Sequence, residues 1–95
     1  LGHTSCGAVK GAISSARLGN LTQLVQKIEP AVEASEGDRD VDNAVYVDGV
    51  AEENVRMVIA EIRRESSVLA TMEQEREIRI VGGMYDVSTG AVRFI

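Results

Sequence analysis

The sequence predicts an α/β fold that is rich in helix and closes on a C-terminal β-hairpin. Three observations carry this. Apolar and small residues recur at three- and four-residue steps from Ala8 to Met72, the period of helices with one buried face. The pattern then changes to the strand-like run Ile78-Arg79-Ile80-Val81, and Ser88-Thr89-Gly90 supplies turn chemistry before Val92-Arg93-Phe94-Ile95. Leu1-Gly2, which leads into a small-residue turn, reads as the tail of another strand.

Ala8, Val9, Ala12, Ile13 and Ala16 place a first helix from Cys6 to about Leu18-Gly19, weakened slightly by Gly11. Asn20 has the chemistry of an N-cap and Gln23 that of its capping-box partner, so a second helix follows with Leu21, Leu24, Val25 and Ile28 on one face. Pro30 bends or ends it, and Ala34-Ser35-Glu36-Gly37-Asp38 is the best loop in the chain. After Asp40, the stripe Val47, Val50, Ala51, Val55, Val58, Ile59 and Ile62 describes a long helix, with Glu52 and Arg56 paired on its surface and Gly49 its weak point. Ser66 or Ser67 caps a short fourth helix carrying Leu69 and Met72. A strand over Ile78–Val81, continued or left by Met84-Tyr85-Asp86-Val87, then pairs with the returning strand. Three or four helices beside one hairpin lack the sheet that such helices cover, so the centre of that sheet is expected in an N-terminal portion. An initial Leu in place of Met agrees with a fragment or processed product.

Composition narrows the class. Ninety-five residues with 44% apolar content make one small domain. Ten basic against fifteen acidic residues give a net charge of -5, which argues against nucleic acid or an anionic membrane as partner. No apolar run reaches the ~18 residues of a membrane span, and no signal-peptide pattern is visible. A single Cys excludes an internal disulfide framework and suits a reducing, cytoplasmic setting.

The chemistry concentrates in Gly2-His3-Thr4-Ser5-Cys6-Gly7-Ala8, which holds the only histidine and the only cysteine. Imidazole and thiolate are preferred zinc donors, and a three-residue offset across a strand-to-helix turn aims both at one point, where open α/β sheets bind ligands. The set is short, because zinc takes four ligands, or three and a water, and the chain offers no second His or Cys. A nucleophilic Cys6 with His3 as base ranks below zinc, since groups this close in sequence seldom align and no third orienting residue is evident. Gly2 and Gly7 have P-loop spacing, but Ala8 and Val9 stand where Lys and Ser or Thr are needed. Asp38, Asp40 and Asp42 start like a calcium loop, but Asn43 and Gly49 replace its glycine and bidentate glutamate. Gly82-Gly83 lacks the third glycine of a dinucleotide site and reads as a strand that bends or packs closely on its neighbours. Tyr85 and Asp86 read as packing and turn residues beside the hairpin.

Two ordered stretches resemble a known family. Gly2-His3-Thr4-Ser5-Cys6-Gly7-Ala8-Val9-Lys10 resembles the second metal motif of the β-class carbonic anhydrases, and Ile80 to Phe94 resembles their C-terminal strand and hairpin. Glu65-Ser66-Ser67-Val68-Leu69 is similar to the family's Ser-Pro-Val-Leu segment, with Ser67 in place of Pro. The resemblance implies the C-terminal half, over residues 1–95, of a parallel-sheet zinc enzyme that interconverts carbon dioxide and bicarbonate, with zinc activating a water for the attack. It assigns His3 and Cys6 as metal ligands. The family takes its third protein ligand, and the Asp-Arg pair that controls the zinc-bound solvent, from a Cys-x-Asp-x-Arg motif absent here, so no catalytic residue is assigned in this chain. The family's obligate dimers imply a homo-oligomer, or a complementing N-terminal segment, as partner. Two alternatives stand beside this reading: an inactive assembly module, and a carbon disulfide or carbonyl sulfide hydrolase on the same scaffold.

Overall fold

The computed structural model describes residues 1–95. Its longest element, a 22-residue helix α3 (Ala44–Glu65), follows from the predicted stripe: Val47, Val50, Ala51 and Val55 are buried on one face. Asn43 caps it, its side-chain oxygen accepting the Tyr46 N–H at 3.2 Å. Two helices pack on the N-terminal half of that face, α1 (Gly7–Ile13) and α2 (Leu21–Ala34). Val9, Ala12 and Ile13 come from the first, and Val25, Ile28, Ala31 and Val32 from the second, to join the α3 residues in one core. A short α4 (Ser67–Gln74) follows, capped by Ser66 through the Leu69 N–H, and buries no residue.

The sheet has three strands in the order β1 (Gly2–His3), β2 (Gly83–Tyr85) and β3 (Val92–Phe94). The first pair is parallel, with Gly2 opposite Met84 and His3 opposite Tyr85, and the second is the predicted antiparallel hairpin. The expected helix-rich α/β architecture with a C-terminal hairpin is therefore present, as a small mixed sheet. Val55 of α3 packs against Gly2 in β1 and against Gly82, the residue before β2. A Cβ on Gly2 would lie 2.9 Å from its Cγ2, and one on Gly82 would lie 2.8 Å from its Cγ1. The close packing expected of Gly82 is thus packing against α3.

Five local expectations are corrected. The first helix stops at Ile13, not near Leu18. Ser15 takes the left-handed conformation (φ 54°), and the Ser15 and Ala16 N–H groups return to the Ala12 and Gly11 carbonyls at 3.1 and 2.8 Å. That closure ends the helix although Ala16 keeps the apolar period. Asn20 does not cap α2 with its side chain, because its backbone is already helical; the Thr22 hydroxyl instead accepts the Leu18 N–H at 3.0 Å. Leu21 and Leu24, expected on the inner face, are 56% and 52% exposed. Pro30 neither ends nor interrupts α2, since Ala31 and Val32 carry the buried face past it and its own side is exposed.

The fifth correction concerns Ile78–Val81, which form no strand. Strand propensity is not enough without a partner. In the observed register Gly83 stands opposite Phe94, and the Ile95 N–H already bonds the Gly82 carbonyl, so the hairpin ladder ends there. On the other side Gly2 faces Met84, so no residue of this chain stands opposite 78–81. An ion pair holds the segment instead. Arg63 on α3 grips both oxygens of Glu73 on α4 at 2.7 and 2.8 Å, and Glu73 accepts the Ile80 N–H at 3.3 Å.

Two outcomes follow from this packing. Gly82→Ala has to displace branched side chains of Val55 and Ile59, whereas a Cβ on Gly83 meets nothing closer than 3.4 Å. Gly82→Ala is expected to cost about 1–3 kcal/mol, read as a lower urea midpoint, with Gly83→Ala close to the parent. Glu52 ties α3 to β3 by accepting from Arg93 at 3.1 Å, and from Arg56 at 2.7 Å. The Arg93 bond, aided by Arg56 and opposed by partial burial, holds its carboxyl below the ordinary value of 4.5. A depressed carboxyl stabilises the fold above its unfolded value, and the gain disappears as pH falls through the folded one. The melting temperature should fall as pH is lowered from about 5 toward 3, and less steeply in Glu52→Gln.

Candidate metal centre

His3 ends β1 and Cys6 immediately precedes α1, so the two candidate ligands flank a two-residue turn at the end of a parallel strand pair. Each turn residue is fixed from a different side. Thr4 is tied to the exit of β2: its N–H donates to the Tyr85 carbonyl at 2.9 Å, and its hydroxyl accepts the Val87 N–H at 3.0 Å. Ser5 is tied to α3, its N–H donating to Asp48 Oδ1 at 2.9 Å. Ser5 also has φ 54°, a left-handed conformation that costs a serine about 1–2 kcal/mol. From Cys6 onward the chain is helical, with the Lys10 N–H on the Cys6 carbonyl at 3.0 Å.

His3 Nδ1 lies 2.8 Å from the Thr4 carbonyl oxygen. A carbonyl only accepts, so Nδ1 carries the proton and the Nε2 lone pair is left free for a metal. Cys6 is a half-buried free thiol. Both side chains line one cavity of about 250 Å³ between β1, α3 and the 80–81 segment. Val9, Val55, Ile59 and Ile80 make much of its wall, and Asn54 is the only other polar side chain on it.

An imidazole with a free Nε2 and a thiol on the same wall fit two positions of a tetrahedral zinc site. They fit no more than two, because nowhere do three His, Cys, Asp or Glu side chains converge on a metal-sized space. The remaining positions are not supplied by side chains of this chain.

The other singled-out residues have structural roles. Asp86 accepts from the Ser88 N–H at 2.9 Å and the Ser88 hydroxyl at 2.6 Å, holding the hairpin turn, and the Ser88 bonds keep its carboxyl below the usual range. Tyr85 pairs with Val92 and is 38% exposed. Asp38 and Asp40 lie in the loop before α3, where Asp40 accepts the Asp42 N–H at 2.9 Å, and no metal-binding group forms there. Sequence reasoning missed Thr4, Asp48 and Asn54. Asp48 does carry a signal, a carboxylate set between the buried Val47 and Val50, but its partner is 43 positions away.

A family model described as carbonic anhydrase matches residues 1–92, and the chain belongs to the β-class carbonic anhydrase family. The match covers the first stretch on which the resemblance rests, and the second as far as Val92. No curated protein matches the chain.

Thr4 can be tested without metal. Thr4→Val keeps the bond to the Tyr85 carbonyl and deprives the Val87 N–H of its acceptor. It should cost about 1 kcal/mol, seen as a shifted urea midpoint with unchanged slope.

Proposed function

We propose that this chain carries the His-x-x-Cys half of a zinc site in a β-class carbonic anhydrase, and that its reaction is the reversible hydration of carbon dioxide to bicarbonate. Family membership points to the carbonic anhydrase type. The observation that carries the assignment to residues is the His3–Cys6 pair on one apolar cavity, with Nε2 of His3 left free by the Nδ1 contact.

A zinc ion held there supplies Lewis-acid activation of water, which hydration of carbon dioxide needs at neutral pH. His3 and Cys6 hold the metal. The Thr4 carbonyl fixes the imidazole tautomer, as outer-shell acceptors do in zinc sites. Val55, Ile59 and Ile80 give an apolar carbon dioxide molecule a wall it enters without losing hydrogen bonds, and Asn54 offers a polar group to the more polar bicarbonate. The other metal positions, and the Asp-Arg pair expected of the family, come from outside these residues, from a complementing N-terminal segment or a partner chain that carries the missing motif. No helix is long and apolar enough to cross a membrane; we place the enzyme in the cytoplasm, on its free thiol, as a homo-oligomer.

The two-ligand count favours a second reading, an inactive interaction module that keeps the turn and has lost the reaction. Metal content and carbon dioxide hydration separate the two. Under the enzymatic reading the protein complemented with a Cys-x-Asp-x-Arg segment retains zinc through dialysis, and Cys6→Ser lowers its zinc affinity by at least the roughly 10–100-fold that loss of an outer-shell partner costs. The same complemented protein shows stopped-flow carbon dioxide hydration that Cys6→Ser abolishes. Failure of the complemented parent protein to hold zinc, or zinc that Cys6→Ser leaves in place, sinks the assignment.

A further inference from the structure

We propose that Asp48 is a positioning residue for the metal pair, holding the turn that makes His3 and Cys6 converge. This rests on the zinc reading of those two residues. Asp48 is half-buried near the start of α3, and its Oδ1 receives the Ser5 N–H at 2.9 Å, joining residues 43 apart in sequence. Ser5 is the residue of the turn that needs holding. Its φ of 54° is one of only three positive values at non-glycine residues in the chain. A serine released from that conformation relaxes to an ordinary negative φ, which swings everything beyond it and turns Cys6 away from His3.

The anchor is well placed for this task. Val47 and Val50, on either side of Asp48, are 0% exposed, so the backbone that carries the carboxylate is fixed by the densest part of the core. The bond from the Ser5 N–H to Oδ1, at 2.9 Å, has ordinary hydrogen-bond length, and a net worth of about 1 kcal/mol is comparable with the strain at Ser5. Thr4 is independently tied to β2 through the Tyr85 carbonyl and the Val87 N–H. The two residues between the ligands are thus held from the sheet and from the helix, and only the helix-side bond acts on the strained residue.

Asp48 is not itself a ligand here. It joins no group of three donors with His3 and Cys6, and its Oδ1 is committed to Ser5. Its role therefore depends on where an acceptor oxygen stands and not on its charge, which separates positioning from electrostatic or ligand roles. Asp48→Asn keeps an oxygen at the same place without the charge. Asp48→Glu keeps the charge and displaces the oxygen by one methylene.

The test uses the full chain supplied with a Cys-x-Asp-x-Arg segment and cobalt(II) as probe, titrated while the thiolate-to-cobalt charge-transfer absorption is followed, and hydrogen exchange of the Ser5 amide measured without metal. The parent should show the band and Cys6→Ser should lose it. Asp48→Ala should weaken cobalt binding about 10–100-fold and speed Ser5 exchange, at a melting temperature well above that of the assay. Asp48→Asn should recover binding to within about threefold of the parent, and Asp48→Glu should resemble Asp48→Ala. If Asp48→Ala does not fold, the contrast between Asn and Glu decides the matter. Parent-like binding in Asp48→Ala or Asp48→Glu, or Asp48→Asn as weak as Asp48→Ala, overturns the proposal while leaving the zinc reading intact. A complemented parent chain with no thiolate–cobalt band overturns the zinc reading, and the proposal with it, whatever Ser5 exchange shows.

Discussion

The two γ-methyls of Val55 fit against β1 and against the residue that leads into β2, and both places admit them only because they present glycine. A Cβ at Gly2 or at Gly82 would stand 2.9 or 2.8 Å from those methyls, inside any tolerable contact. This fixes the distance between α3 and the parallel pair. Gly2 is also pressed by Met84, whose sulfur would lie 2.7 Å from an added Cβ, so β1 is confined between helix and neighbouring strand. The strand so confined ends at His3, and the turn after it begins where Val55 and Met84 have placed it. Placement of the candidate ligand is therefore a consequence of core packing.

Relative magnitudes support that order of causes. Val32, Val47 and Val50 are the largest fully buried side chains, and burying a side chain of this kind contributes about 1.5–3 kcal/mol. An exposed ion pair contributes about 0–1 kcal/mol. Arg93 and Arg56 on Glu52, and Arg63 on Glu73, all involve guanidiniums about half exposed or more. These pairs cannot hold the fold together, but they settle the lie of segments the core does not reach. Glu52 orients the hairpin against α3, and Glu73 holds the backbone at Ile80 where no strand partner stands opposite.

What was legible in the sequence was local. The α3 stripe, the Ser66 cap, the loop expected over Ala34–Asp38 and the C-terminal turn each depend on residues within a few positions of one another, and each formed, although Ala34 still belongs to α2 and Val58 of the stripe is exposed. His3 and Cys6 were found for the same reason, being three residues apart. Expectations failed where a distant or competing bond decided the outcome. Ala16 kept the helical period, but Ser15 turned left-handed and closed the helix before it. Leu21 and Leu24 kept the period of α2, yet the inner face runs through Val25, Ile28 and Ala31, and only the packing against α1 and α3 reveals that choice. The carboxylate of Asp48 was unreadable as part of the site because its partner lies 43 positions away.

The segment at 78–81 shows the same principle from the opposite side. Ile78, Ile80 and Val81 are stronger strand formers than Gly83, yet the strand begins at the glycine. Pairing and close approach override propensity: Gly83 has Phe94 opposite it, and Gly82 beside it accepts the last hairpin hydrogen bond from Ile95. Residues before them have side chains suited to a sheet and no ladder to join. Ile80 and Val81 turn instead toward the cavity that His3 and Cys6 share, so part of the apolar wall around the candidate metal pair is built from a would-be strand. That wall and the two ligands depend on one register. A one-residue slip of β2 against β1 would move Gly82 from Val55, bringing Val81 there in one direction, and in either direction take Tyr85 from its place opposite His3. The glycines that seat Val55 therefore set the chemistry of the cavity as well as the thickness of the core.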